Sequence, residues 1–165
     1  ITINFPLYSD VESLWIGLEE QAAVQKTLGY KYTRPVVFYG SSITQGGCAS
    51  RPGNSYESII SRVLQTDYIN LGFSGNARGE GTIAEYISGL DMSVFVYDYD
   101  HNAPSIKHLE ATHRKMFQTI REKNPDLPIV ILSRPKYRLN REEQERLKVI
   151  RKTYEEACNR HHALS

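Results

Sequence analysis

The chain has 165 residues, 40% hydrophobic and 24% charged, with a formal net charge of +1. These figures fit one globular domain with a core of its own, and they give no electrostatic case for nucleic acid or an anionic membrane as partner. No apolar stretch approaches the ~20 residues a bilayer-spanning helix needs.

Residues 1–34 differ in pattern from the rest of the chain. In PLYSDVESLWIGL the apolar positions Val11, Leu14, Ile16 and Leu18 alternate as in an antiparallel strand. An extended β-type arm, or the tail of a preceding β domain, is expected there, with an α/β domain over 35–165. From Arg34 strands and helices alternate. Val36 to Tyr39 is an apolar run between Pro35 and Gly40 and reads as a buried strand. A helix is expected over Tyr56 to Leu64, with Asn54 or Ser55 as its cap and Glu57 in its first turn. A strand over Tyr68 to Leu71 comes next, then a helix near Thr82 to Ser88. The third strand is Val94 to Tyr97. A long helix spans about Ile106 to Lys123 and stops at Asn124-Pro125. A fourth strand, Pro128 to Leu132, precedes a last helix from Arg141 to about Asn159, whose Glu142 and Arg146 are spaced as on a solvated helix face.

Short continuous apolar strands alternating with helices predict right-handed βαβ units. The expected fold is a three-layer α/β/α sandwich with a parallel sheet in flavodoxin-like order. In such a sheet the loops after the strands share one edge. GSSITQGG, GFSGNARGE, DYDHNAPS and SRPKY should therefore converge, and open α/β sheets place their sites at that edge.

Neither glycine-rich loop fits a P-loop or a GxGxxG dinucleotide fingerprint. A flavin-type phosphate loop remains open, because hydroxyls and amides at a helix N-terminus bind anions. The two cysteines, Cys48 and Cys158, form neither a CxxC pair nor a zinc spacing. His108 and His113 are five apart and do not share a helix face. No metal and no cofactor is expected. A serine nucleophile needs an exposed hydroxyl, a base and amide donors for the oxyanion. Ser42 follows a strand, Gly75 can bring its backbone N–H close to a ligand, and Asn102 offers a side-chain amide from a third loop.

On these loops the chain resembles the SGNH hydrolases, also called GDSL-type esterases or acylhydrolases. Gly40-Ser41-Ser42-Ile43-Thr44 is similar to the first block of that family, with Ser41 in place of the usual aspartate. NLGFSGN is similar to the second block and puts its glycine on Gly75. YDYDHNAP resembles a variant of the third block, with its asparagine on Asn102. The resemblance implies ester hydrolysis through an acyl-enzyme at Ser42, with the Ser42 and Gly75 N–H groups and the Asn102 side chain around the oxyanion. It also implies small-molecule or carbohydrate esters as substrates, with an exported bacterial enzyme by analogy alone. Ser41, Asn76, His101 and Arg134 are candidates for substrate contact in the same loops. The family's fourth block, Asp-x-x-His, has no match. His161 and His162 follow the last helix with no aspartate three residues before either, so the base is expected beyond Ser165. A ligand-binding module that keeps the pocket without the base is the alternative.

Overall fold

The computed structural model describes residues 2–162, with side chains through Cys158. Residues 2–31 form neither strand nor helix. The alternating positions Val11, Leu14, Ile16 and Leu18 are each 42–60% exposed, so the apolar alternation has no sheet to pair with in the described chain. The arm is tied down at its start. Leu7 lies over Gly46, and the Tyr8 hydroxyl donates to the carbonyl oxygen of Ser42 over 3.2 Å.

Beyond the arm come four strands: β1 (Tyr32–Gly40), β2 (Thr66–Gly72), β3 (Val94–Asp98) and β4 (Ile129–Ile131). All pair in parallel, in the order β2-β1-β3-β4. That order is flavodoxin-like, and the chain reverses its direction of travel across the sheet between β1 and β3. Among the described residues five α-helices connect and cover the strands: α1 (Ser42–Gln45), α2 (Tyr56–Leu64), α3 (Gly81–Ser88), α4 (Ile106–Lys123) and α5 (Arg141–His162). Ser55 stands at the cap position expected for α2 but makes no side-chain capping bond among the described residues, whereas α4 and α5 do carry such bonds. Ser105 accepts from the His108 N–H at 3.1 Å. Asn140 and Glu143 exchange side chain-to-backbone bonds of 2.9 and 2.8 Å, a reciprocal capping box. Among the described residues no helix is long and apolar enough to cross a membrane.

Strand alternation sorts the core into two faces. Val37, Tyr39, Phe95 and Tyr97 point to one side, where Ile87 of α3, Leu109, Met116 and Ile120 of α4 and Ile150 of α5 cover them. Val36, Phe38 and Val96 point to the other, against Tyr56 and Ile60 of α2. Burying one such side chain contributes about 1.5–3 kcal/mol, so these two layers fix the strand register. The register puts Gly40 level with both Gly72 and Asp98. The loops leaving β1, β2 and β3 therefore start from one line.

Candidate active site

The turn after β1 separates its two hydroxyls by role. Ser41 is buried, its Oγ accepts from the Ile43 N–H at 3.2 Å, and its own N–H donates to the Asp98 carbonyl at 3.1 Å. The helix-capping task falls to Ser41, a placement inside the turn rather than at the substrate-facing position expected from the sequence. Ser42, half-buried as the first residue of α1, has no hydrogen bond on its Oγ among the described residues. Its carbonyl is held by the Gly47 N–H at 2.7 Å and by Tyr8.

The loop after β2 closes onto this turn. The Phe73 N–H donates to the Gly40 carbonyl at 2.9 Å. Gly72 packs so tightly against the Gln45 backbone that a Cβ there would collide with it. Gly75 is exposed and adopts φ +71°, a left-handed conformation that costs about 1–2 kcal/mol for most residues. Its N–H has no partner among the described residues, while its carbonyl accepts two bonds from the Arg78 guanidinium at 3.2 Å. Asn76, expected to contact substrate, turns its amide onto the Ser74 carbonyl at 3.1 Å.

The loop after β3 joins the same cluster. Asn102 Nδ2 donates to the Phe73 carbonyl at 2.8 Å and has a second N–H to offer. Gly40, Phe73 and Asn102 thus form one chain of bonds through three loops, on which the free Ser42 hydroxyl and the free Gly75 amide also lie.

Beyond Asn102 the loop is clamped from behind. Asp100 is buried and receives Arg134 Nε on its carboxylate at 2.8 Å. Arg134, expected at the substrate, is engaged in that ion pair and lies 3.6 Å from Glu143. Arg146 is 4% exposed and donates to the carbonyls of Asp100 (3.1 Å) and Ala103 (3.0 Å). Of the pair that reads as a solvated helix face in sequence, Glu142 is exposed and bonded to Arg146 at 3.1 Å, while Arg146 itself is buried and serves as an internal brace. His101 is half-buried, with Nε2 enclosed and without a partner among the described residues. Burial, and then the nearby Arg134, hold its imidazole below the usual histidine range. The side chains of His161 and His162 lie outside the described residues.

Sequence reasoning missed a buried acid pair under the serine turn. Glu57 is 0% exposed and neither of its carboxyl oxygens has a hydrogen-bond partner, and the same holds for Asp98 Oδ1. Burial, with Asp98 adding to it, pushes Glu57 up to about 7. Burial, with Asp100 adding to it, pushes Asp98 up to about 6. The signal was present: Glu57 shares a helix face with Ile60 and the buried Ser61. Among the described residues no group of three or more histidines, cysteines or acids could hold a metal ion. Cys48 and Cys158 are free thiols.

Among the described residues, then, a parallel α/β sheet in flavodoxin-like order carries an unengaged serine hydroxyl and unengaged amide donors on linked loops after β1, β2 and β3. Residues 33–163 match the model of the GDSL-like lipase/acylhydrolase family, and the chain belongs to that family. Among solved structures, a candidate GDSL-like lipase from Bacteroides ovatus is 33% identical, with a TM-score of 0.76 over 98% of this chain and 47% of its own. The salicylyl-acyltransferase SsfX3 from a tetracycline biosynthetic pathway shares the fold at 21% identity, with a TM-score of 0.66 over 83% of this chain and 42% of its own. A family two carbohydrate esterase from Clostridium thermocellum, in complex with cellohexaose, shares it at 17% identity, with a TM-score of 0.59 over 83% and 53%. The chain spans about half the length of these structures. No curated protein is similar enough in sequence to count as a match.

Proposed function

We propose that the protein carrying this chain hydrolyses acyl esters through an acyl-enzyme on Ser42. The observation that carries this reading is the division of labour in GSS: Ser41 caps the helix, which leaves the Ser42 hydroxyl unengaged beside the linked loops. Ser42 Oγ attacks the ester carbonyl, and its proton passes to a histidine base oriented by a carboxylate. The negative charge that develops on the carbonyl oxygen is met by the Gly75 N–H and by the second N–H of Asn102, with the Ser42 amide at the start of α1 as third donor. Collapse of the tetrahedral intermediate expels the alcohol and leaves Ser42 acylated, and water then releases the acid by the same steps in reverse.

The substrate class we favour is acyl groups, acetyl among them, esterified to carbohydrate. The cellohexaose-bound neighbour supports that choice by fold alone. A flavin-phosphate reading has little to stand on, since α1 has four residues and Ser41 already serves its first free amide.

The test is Ser42→Ala in the full protein, assayed on p-nitrophenyl acetate and on an acetylated oligosaccharide. Loss of about 10³-fold or more in kcat with the fold intact is expected. Unchanged hydrolysis would remove Ser42 from the reaction, and no hydrolysis by wild type or variant would favour a pocket that only binds.

A further inference from the structure

Between the serine turn and the Gly75 turn lies a side chain that the catalytic reading leaves without a task. Gln45, the last residue of α1, is half-buried and uses both ends of its amide. Its Oε1 accepts from the Ser74 N–H at 2.8 Å, and its Nε2 donates to the Leu7 carbonyl at 3.2 Å. The Ser74 carbonyl is in turn held by Asn76 Nδ2 at 3.1 Å. That carbonyl and the Gly75 N–H belong to one planar peptide unit, so whatever fixes the first aims the second. The stretch needs such a hold. Gly75 sits at φ +71° with nothing within 4 Å of the place a Cβ would take, so hydrogen bonds rather than side-chain packing at that position hold the turn.

We propose that Gln45 is a positioning residue for the oxyanion donors, fixing the Ser74–Gly75 turn against α1 and anchoring it to the N-terminal arm through Leu7. This rests on the reading of Ser42 and Gly75 given above. Gln45 touches no substrate. It acts by keeping the Gly75 N–H at a constant distance from Ser42, because the residue before Gly75 is bonded to a side chain that belongs to the serine turn itself, three residues from the nucleophile. The arm is therefore part of the site's frame: its Leu7 carbonyl sets the rotation of the Gln45 amide, and Tyr8 bonds the Ser42 carbonyl next to it.

The experiment compares Gln45→Met and Gln45→Glu with wild type and Ser42→Ala in the full protein, on p-nitrophenyl acetate between about pH 5 and pH 8. Met keeps the length and loses both bonds. Misplacing one donor should lower kcat about ten- to a hundredfold with KM within twofold. In Gln45→Glu a protonated carboxyl would place one donor and one acceptor where the amide has them. The rate of that variant relative to wild type should therefore recover as the pH falls, whereas that of Gln45→Met stays low at every pH. If Ser42→Ala is dead and Gln45→Met runs within twofold of wild type, the positioning role is wrong and the nucleophile stands. A loss in Gln45→Met that falls on KM, or one that Gln45→Glu shares without recovery at low pH, marks a merely structural residue and also overturns it. If Ser42→Ala remains active, the site reading itself fails and this inference goes with it.

Discussion

The side-chain amide of Asn102 donates to the Phe73 carbonyl over 2.8 Å, and that bond joins the loop after β3 to the loop after β2. The same Phe73 donates its N–H to Gly40, so one residue links all three turns of the site. On the function proposed above, Asn102 has two tasks, one N–H for the frame and one for the oxyanion. Asn102→Ala removes both. A fall in kcat of about 10²–10³ is expected in the full protein, by steady-state kinetics, with the fold kept by circular dichroism. A loss within threefold would show that the amide is structural only.

The acid pair beneath the turn predicts a pH-dependent stability. Burial raises Glu57 from an ordinary value of 4.5 to about 7, and Asp98 from 3.8 to about 6. A raised acid is more protonated in the folded than in the unfolded chain, so its contribution is present below the ordinary value and is lost as the pH climbs through the raised one. Buried His113, held down to about 4, acts in the opposite sense between about pH 4 and pH 6.5, so the Glu57 part is read as a difference between variants. The stability of wild type relative to Glu57→Gln, from urea unfolding, should decline as the pH climbs from about 4.5 to 7. A difference that grows with pH over this window would contradict the account.

Arg146 braces the loop that carries Asn102. Its replacement by Met strands the Asp100 and Ala103 carbonyls and leaves the buried Asp100 with Arg134 alone. Breaking a buried charged network of this kind costs about 3–5 kcal/mol. At about 2–4 °C per kcal/mol for a chain of this size, a Tm lower by roughly 10 °C is expected in calorimetry. A shift under 2 °C would mean that Arg146 behaves as a surface charge.

Two glycines should respond differently to alanine. Gly75→Ala meets no atom and bears only the strain of its left-handed backbone, about 1–2 kcal/mol. Gly72→Ala drives a methyl into the Gln45 backbone and should cost more, because main chain cannot swing aside. Urea denaturation of the two variants checks the order, and an equal cost for both would count against the close contact of β2 and α1.

Much of this fold is legible in the chain. The limits of α2 and α4 coincide with apolar periodicity bounded by a serine before each and, for α4, by Asn124-Pro125 after it. The strands β1 and β2 run further than their apolar runs, because parallel pairing uses backbone groups whatever the side chain, as at Tyr32 and Thr66. The four-residue α1 is too short to show a period. The residues misread were those whose partners are remote in sequence. Arg146 and Glu142 look like a solvated pair until the Asp100 and Ala103 carbonyls, more than forty positions earlier, are brought under α5. The arm shows the converse: its apolar alternation is real, but the described chain supplies no neighbouring strand to satisfy it. The three positions proposed for the site, Ser42, Gly75 and Asn102, could be singled out because each lies in a loop that follows a strand. Their support from Gln45, Phe73 and Arg146 could not, because nothing local distinguishes those residues.

The most direct measurement is the mass of the peptide containing residue 42 after the full protein has reacted with a fluorophosphonate. A hydroxyl activated as described attacks phosphorus and displaces fluoride, so a single phosphonyl adduct on Ser42 is expected, absent from Ser42→Ala. An unmodified Ser42 in a preparation that still hydrolyses esters would contradict the account.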